Sequence, residues 1–324
     1  MRVFHTIAEA APAGRSAVAC GFFDGLHIGH AAVIGRAVER AGEAGLTPGV
    51  FTFTIHSGHP ARKCDNCEII TETKKFHMLE KWGVRLLLSP DFTDFSAMPP
   101  EEFVDEVLVR RLGAAVVCCG DDFRFGRDAA GDVPMLKTLC AARGVEVDVV
   151  PAVLWGGERV SSTRIRRLLG EGEVETAGEL LGRAFGYDFT VVHGKRLGRT
   201  IDSPTINQRF PADFVRLRHG VYASAARVDG VLRPAVTNIG LRPTVENASA
   251  VNSETYIIGF SGDLYGQAVE VRLLRFLGGG AQTPDSGGRG GLPARRGTVH
   301  CRKKRKIKGH DPFTFGQHYA TINN

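Results

Sequence analysis

The sequence predicts an α/β domain followed by a small antiparallel β-barrel. Between residues 15 and 155, short apolar, β-prone runs alternate with longer amphipathic stretches, which is typical of a parallel sheet covered by helices. After Gly182 the pattern changes to short runs of alternating polarity between turn signals. At 324 residues, the chain is longer than one core usually serves. We therefore expect domains at residues 1–182 and 183–277.

The first domain is predicted from its alternating elements. Strands are expected at residues 18–23, 49–53, 84–88 and 114–118, and helices at 29–44 and 100–112. Glu101 and Glu102 open the second helix, where carboxylates favour the positive end of the helix dipole. Such a layer of strands and helices indicates a nucleotide-binding domain of the Rossmann-like type.

The second domain is predicted from four strand-like runs, at residues 189–193, 221–228, 255–260 and 268–276. In the last run, apolar positions alternate with Glu270 and Arg272. Asp229-Gly230 and residues 261–263 are turn signals between the runs. We expect these strands to form an antiparallel barrel.

The segment from Gly278 onward has no periodicity, and it is rich in Gly, Arg and Pro before the basic run RKKRKIK at residues 302–308. It buries too little apolar surface to offset its ordering entropy, so we expect residues 278–324 to be a disordered, low-complexity tail. The abrupt change after Leu277 leads us to hypothesise a reading-frame shift.

The basic charge is concentrated in this tail. The tail holds nine Lys/Arg and two Asp, whereas the whole chain has a net charge of +6, so residues 1–277 are at −1. The folded part therefore offers no basic excess to a nucleic acid. Nucleic-acid binding through the tail alone stays an alternative.

The compartment is expected to be the cytoplasm. No stretch approaches eighteen uncharged apolar residues, and residues 1–10 contain charged side chains rather than an apolar signal core. Seven cysteines, an odd number in a long chain, indicate reduced thiols. Cys64 and Cys67 form a lone CxxC, which is short of the four ligands of a structural zinc site.

The segment GFFDGLHIGH at residues 21–30 carries the first chemical signal. His27 and His30 lie three residues apart where a strand passes into a helix, so both imidazoles share one face of the first turn. The free N–H groups of that turn attract anions. Gly25 and Gly29 allow the backbone to approach a ligand closely. The pattern suits a triphosphate.

Two further segments accompany it. Residues 161–166 read SSTRIR, whose hydroxyls can cap a helix or bind phosphate and whose arginines are fork-shaped donors. Residues 119–126 read CGDDFRFG, a turn with Phe123 and Phe125 as a hydrophobic clamp. By themselves these are a capped basic helix and a turn.

Together the three segments resemble the FMN-adenylyltransferase form of the HxGH nucleotidyltransferase superfamily, with its GxFDGxHxGH, GxDFxFG and SSTxIR motifs. The resemblance implies attack of the FMN phosphate on the α-phosphorus of ATP, with release of pyrophosphate and with Mg²⁺ neutralising charge. It assigns catalytic roles to His27, His30 and Arg166. It assigns flavin contacts to Asp122, Phe123 and Phe125, and nucleotide contacts to Gly21, Phe22, Asp24, Gly25, Gly29, Ser161, Ser162, Thr163 and Arg164.

A second signal lies in the predicted barrel. Residues 194–199 read GKRLGR, a basic loop that is not a Walker A sequence, and residues 204–207 read PTIN. They resemble the ATP loop and the PTAN motif of riboflavin kinase. The resemblance implies nucleotide contacts from Gly194, Lys195, Gly198 and Arg199, magnesium ligation by Thr205 and Asn207, and Glu254 as the catalytic base. Hydroxyl and amide oxygens are ligands that a hard cation prefers.

The resemblance covers residues 1–277 and predicts a bifunctional enzyme of the prokaryotic FAD synthetase family, whose substrates are riboflavin, FMN and ATP. One alternative is that only the adenylyltransferase half is active, because the kinase half lacks its C-terminal helix. A second is an HxGH enzyme acting on a partner other than FMN. A third is a non-catalytic flavin carrier, for which changes at His27, His30, Arg166 or Glu254 would be expected; none is present.

Overall fold

The computed structural model describes residues 1–12, 14–55, 67–193, 205–242 and 250–279. Its first half contains strands β1 (Arg2–Phe4), β2 (Ser16–Cys20), β3 (Thr47–Phe51), β4 (Leu86–Leu88), β5 (Ala114–Gly120) and β6 (Glu146–Val150), and a hairpin of β7 (Leu154–Trp155) and β8 (Glu158–Arg159). The helices are α1 (Ile28–Ala44), α2 (Glu72–Lys81), α3 (Pro100–Glu102, continued by the π-helix Phe103–Arg111), α4 (Val133–Ala141), α5 (Ser162–Glu171) and α6 (Val174–Leu181).

The first six strands form one parallel sheet in the order β1-β4-β3-β2-β5-β6. Strand β2 is buried along its whole length, as its apolar composition predicts for a central parallel strand. The chain leaves β2 through α1 towards β3 on one side, whereas β5 pairs with β2 on the other side. Ligands of open α/β sheets bind at the carboxyl ends of strands at such a switch point. The α/β layer is confirmed.

The second half is a curled antiparallel sheet, and this expectation is confirmed as well. Its strands are β9 (Gly186–Tyr187), β10 (Val191–Val192), β11 (Thr205–Arg209), β12 (Gly220–Val228), β13 (Val231–Arg242), β14 (Ala250–Ile257) and β15 (Val271–Gly278). They lie in the order β10-β11-β14-β13-β12-β15-β9. The turn Asp229-Gly230 joins β12 to β13 with φ values of 51° and 76°, the left-handed backbone that a tight hairpin requires.

Several predicted boundaries differ from the structure. The helix expected at residues 100–112 is mostly a π-helix, and β14 spans residues 250–257 rather than 255–260. The chain turns after Ile257 at Gly259, whose φ is +70°, so the strand cannot continue to Phe260. The twelve-residue strand β13 was not predicted. Pro234 interrupts its sequence pattern, since proline has no N–H for a ladder.

The two halves share a core. Helices α5 and α6 pack against the curled sheet, and Ile165 and Leu180 belong to the same buried cluster as Tyr222 and Val271. Polar contacts add to this packing: Lys74 Nζ lies 2.8 Å from Glu270 Oε1. Parallel bridge pairing also joins residue 68 to residue 214. Helices α5 and α6 therefore pack into the core of the curled sheet, and the two halves are not joined by a solvent-exposed linker alone. No helix in the described ranges has the length and apolar character needed to cross a bilayer.

Candidate active sites

A cavity of about 370 Å³ opens at the carboxyl ends of β2, β5 and β6. This is the switch point of the parallel sheet, where a ligand site is expected. The predicted site residues that line the cavity are Gly21, Phe22, His27, Gly29, His30, Asp122, Phe123, Phe125, Ser161 and Ser162. The structure therefore brings the three motifs of the first half together around one space.

The paired histidines form the floor of this cavity at the start of α1. His27 caps the helix, and its Nδ1 accepts a hydrogen bond from the backbone N–H of His30 at 3.2 Å. The two rings stack with centroids 3.5 Å apart and an interplanar angle of 20°. Within the described part of the chain, the buried Nδ1 of His30 has no hydrogen-bond partner. A buried, unpartnered nitrogen beside a cavity is a ready contact for a ligand oxygen.

Both imidazoles are neutral at pH 7 in this environment. Burial lowers the pKa of His27 to about 4, and the positive charge of Arg183 adds to that effect. Burial also lowers the pKa of His30, as do His27, Lys75 and Arg183. Both histidines thus lie in positive surroundings, which favour a bound polyphosphate. A polyphosphate would in turn favour protonation of the rings.

The loop before the helix has a special backbone. Phe23, Gly25 and Leu26 have φ values of 49°, 79° and 45°. For a non-glycine residue this costs on the order of 1–3 kcal/mol, which the surrounding structure must offset. A Cβ on Gly29 would lie 3.1 Å from Cε1 of His27, so a larger residue there would press on that imidazole. The GFFDGLHIGH pattern therefore specifies one backbone path as well as two imidazoles.

Arg166 and Asp24 lie beneath the cavity and do not line it. Arg166 Nη2 lies 2.6 Å from Asp24 Oδ2, and its Nε donates to the Cys67 carbonyl at 2.7 Å. The other oxygen of Asp24 accepts from the Ile69 N–H at 3.0 Å. Burial raises the pKa of the Asp24 carboxyl, and Arg166 opposes that rise. In this conformation the pair ties the first loop to α5.

The remaining residues of the SSTRIR segment have separate contacts. Ser161 caps α5 by accepting from the Arg164 N–H at 3.2 Å, and Ser162 Oγ donates to the Asp24 carbonyl at 2.9 Å. The guanidinium of Arg164 donates to the carbonyls of Trp155 and Glu158 at 3.0 and 3.2 Å. It thereby holds the β7–β8 hairpin. Thr163 is exposed on the first turn and does not line the cavity.

The opposite wall of the cavity is aromatic. Phe123 and Phe125 lie 5.8 Å apart with an interplanar angle of 10°, and Phe22 stacks on Phe53 at 4.7 Å. Flat aromatic side chains of this kind suit a flat aromatic ligand. Phe125 also contacts Phe103 in the core at 5.7 Å, so it has a packing role too.

Arg159 is a cavity residue that sequence reasoning missed. It lines the cavity from β8 and forms ion pairs with Asp121 and, at 2.5 Å, with Asp122. The pairs connect the hairpin to the loop after β5. Arg159 precedes SSTRIR by only two positions, so a search for cations flanking that motif could have found it.

The second predicted site lies on β11 and β14. The strand register places Asn207 directly opposite Glu254, and Thr205 opposite Tyr256. Paired residues share a face of the sheet, so Thr205, Asn207 and Glu254 lie on the same face. Glu254 is exposed, whereas Asn207 is buried. The structure thus places the hydroxyl, the amide and the carboxylate of the second motif side by side.

Asn252 was not predicted, although it belongs to this cluster. Its Nδ2 donates to Asn207 Oδ1 at 3.1 Å, which orients the amide. The oxygen donors of Thr205 and Asn207 are of the kind that Mg²⁺ accepts. Among the described residues, no group of three or more His, Cys, Asp or Glu could hold a metal. Gly194, Lys195, Gly198 and Arg199 lie outside the described residues.

The parallel sheet with its histidine-lined cavity, joined to a curled antiparallel sheet, defines a two-domain enzyme of the nucleotidyltransferase class. Residues 10–164 match the family model described as FAD synthetase, and residues 181–282 match the one described as riboflavin kinase. The chain belongs to the family of bifunctional riboflavin kinase/FMN adenylyltransferases.

Similar proteins agree with this placement over most of the chain. The bifunctional riboflavin kinase/FMN adenylyltransferase of Listeria monocytogenes is 36% identical over 266 residues, which cover 80% of this chain and 83% of that protein. The protein of the same name from Pseudomonas fluorescens is 34% identical, covering 84% and 88%. A crystal structure described as a macrolide-efflux protein from Streptococcus pneumoniae has a TM-score of 0.77 at 27% identity, covering 88% of this chain and 93% of that one.

Proposed function

We propose that this chain phosphorylates riboflavin to FMN and adenylylates FMN to FAD, each with ATP. Residues 1–182 would carry the adenylyl transfer and residues 183–277 the phosphorylation. The observation that carries the proposal is the stacked pair His27 and His30, with a buried, unpartnered nitrogen at a cavity of about 370 Å³. Both reactions consume ATP, which supports the cytoplasm as their compartment.

In the adenylyl transfer, an oxygen of the FMN phosphate attacks the α-phosphorus of ATP, and the bond to the departing pyrophosphate breaks. No covalent residue is required, so positioning and charge stabilisation supply the rate. His27 and His30 would donate to phosphate oxygens, and Phe123 and Phe125 would contact the flavin. The observed contacts of Arg166 support a role in holding the loop beneath the phosphates.

In the phosphorylation, Glu254 would take the proton of the riboflavin 5′-hydroxyl as its oxygen attacks the γ-phosphorus, and ADP leaves. Thr205 and Asn207 would hold the Mg²⁺ of MgATP, whose charge neutralises the transferred phosphoryl group. The support is the register that puts Asn207 opposite Glu254, together with the amide contact from Asn252. An exposed carboxylate is free to meet a substrate hydroxyl.

The alternative in which only the adenylyltransferase half works is not favoured, because the riboflavin kinase match runs to residue 282 and includes all of β15. A nucleotidyltransferase that acts on a partner other than FMN would not explain the riboflavin kinase match. A non-catalytic carrier would not need two neutral, stacked imidazoles at a cavity.

The test is purified full-length protein with Mg²⁺ and ATP, given either riboflavin or FMN, with products separated by chromatography. We expect FMN and then FAD from riboflavin, and FAD alone from FMN. FMN as the sole product from riboflavin, with none converted to FAD, would refute the first site. FAD from supplied FMN with no turnover of riboflavin would refute the second site.

A further inference from the structure

A buried lysine and a half-buried arginine lie beneath the loop that precedes α1. Lys75 Nζ donates to the Phe22 carbonyl at 3.0 Å and to Thr52 Oγ1 at 2.8 Å. Arg183 donates through Nη2 to the Gly25 carbonyl at 2.6 Å and through Nη1 to the Leu26 carbonyl at 2.9 Å. Neither side chain lines the cavity, so neither is placed to contact the substrate.

These contacts fix the orientation of the peptide groups in the loop. Because a trans peptide directs its N–H opposite to its carbonyl, the N–H groups of Phe23, Leu26 and His27 are directed away from the two cations. A run of N–H groups presented by such left-handed turns forms a concave anion-binding surface. The cations therefore fix the orientation of the peptides that lead into α1.

Arg183 has the more direct effect on the histidines. Its two nitrogens hold the two consecutive peptides that end at His27, and Leu26 keeps a left-handed φ of 45° while fully buried. Such a conformation persists only where several contacts determine it together. Arg183 Nη1 also donates to the Leu181 carbonyl at 3.1 Å, so the same side chain anchors the end of α6.

We propose that Arg183 is a positioning residue for adenylyl transfer, which holds the peptides before His27 and so sets the imidazole pair and the N–H groups at the start of α1. This inference rests on the proposed adenylyltransferase function. Arg183 lies outside the three adenylyltransferase motifs, between α6 and the curled sheet. The residue that orders the first site is thus supplied from the junction with the second.

The pKa of His27 provides a second measurement of the effect of Arg183. Burial and then the positive charge of Arg183 lower the pKa of His27. His30 stacks on His27, the other charged groups beneath the pair are Lys75, Asp24 and Arg166, and those across the cavity are Asp121, Asp122, Arg124 and Arg159. All of these stay in place when Arg183 alone is replaced. Loss of its charge should therefore raise the pKa of His27 from about 4 towards its ordinary value.

The test compares Arg183→Met, Arg183→Lys and the control Arg111→Met in the full chain. Arg111 is a matched control, because it also donates to two backbone carbonyls, those of Ala8 and Ala10, away from the cavity. The measurements are kcat/KM for FAD formation from FMN and the NMR titration of His27, assigned from its loss in His27→Asn. Circular dichroism checks folding.

We expect Arg183→Met to lower kcat/KM on the order of 100-fold, the effect of a misplacement of about 1 Å, and to raise the pKa of His27. Arg183→Lys keeps the positive charge but not the two guanidinium nitrogens that hold the carbonyls, so kcat/KM should fall while the pKa of His27 stays unchanged. Arg111→Met should match the wild type in kcat/KM and in the pKa of His27. Wild-type rate and titration in Arg183→Met would overturn the inference.

The outcomes separate this inference from the proposed function. If the wild type makes no FAD from FMN, the proposed function fails, whereas the His27 titration still reports whether Arg183 controls the imidazole pair. If Arg183→Met does not fold, Arg183→Lys decides, and a wild-type rate in that variant would overturn the positioning role.

Discussion

Replacing Arg166 with Met removes the cation from a buried carboxylate. The Arg166 and Asp24 side chains are 12% and 4% exposed, so solvent screens their ion pair only weakly. The variant loses the contacts to Asp24 and to the Cys67 carbonyl and leaves the Asp24 charge unpaired. Breaking a buried pair by removing one partner costs about 3–5 kcal/mol. We expect the free energy of unfolding at pH 7 to fall by that amount.

The pH dependence of this loss follows from the direction of the Asp24 pKa. Burial raises that pKa although Arg166 opposes the rise, and removing Arg166 raises it further. Lowering the pH therefore protonates Asp24 in the folded variant, so the buried carboxyl is neutral and no unpaired charge remains. The stability difference from the wild type should shrink as the pH falls below 7. Asp24→Asn combined with Arg166→Met should recover part of the loss, since no buried charge is then unpaired.

A tryptophan of the first half can report the unfolding. Both tryptophans of the chain lie there, Trp82 buried under the parallel sheet and Trp155 exposed on the hairpin. In a Trp155→Phe background, the fluorescence of Trp82 follows urea unfolding of this half. The control is Arg167→Met, from the same helix.

Arg167 forms an exposed i,i+4 pair with Glu171, for which a loss of about 0.3–0.5 kcal/mol is expected. The reasoning would be refuted if Arg166→Met and Arg167→Met lost the same free energy of unfolding. It would also be refuted if the stability difference between Arg166→Met and the wild type grew as the pH falls.

Three further predictions concern the two sites and their junction. His27→Asn should abolish FAD formation from FMN while leaving FMN formation from riboflavin intact, as measured by chromatography. Glu254→Gln should do the reverse, and a loss of both activities in either variant would contradict two independent sites. Burial alone would raise the pKa of Glu270, but Lys74 and two arginines lower it to about 2. Its stabilisation is therefore present above pH 4.5 and lost as the pH falls towards 2, and Glu270→Gln should flatten that part of a stability profile measured by denaturant unfolding.

The sequence predicts those features that depend on local spacing. His27 and His30 lie on one face of the first turn because they are three residues apart at a helix start. The features it does not predict depend on contacts between distant residues. The resemblance assigns Arg166 a catalytic role, but no local pattern predicts its contact with Asp24, which lies 142 positions earlier in the chain. No local pattern indicates which of several arginines contacts a buried carboxylate.

The same limit applies to the segment between residues 67 and 75, which carries no motif but contacts both halves of the chain. Lys74 pairs at 2.8 Å with Glu270, which directly precedes β15, whereas the next residue, Lys75, donates to the Phe22 carbonyl beside the histidine cavity at 3.0 Å. Successive residues on a helix point about 100° apart, so one turn of α2 can contact both halves of the chain at once. Neighbouring lysines of one helix thus contact both Glu270 and the nucleotide loop. For that reason both activities have to be measured in every variant of this junction, because the activity of one half alone does not show which site was disturbed.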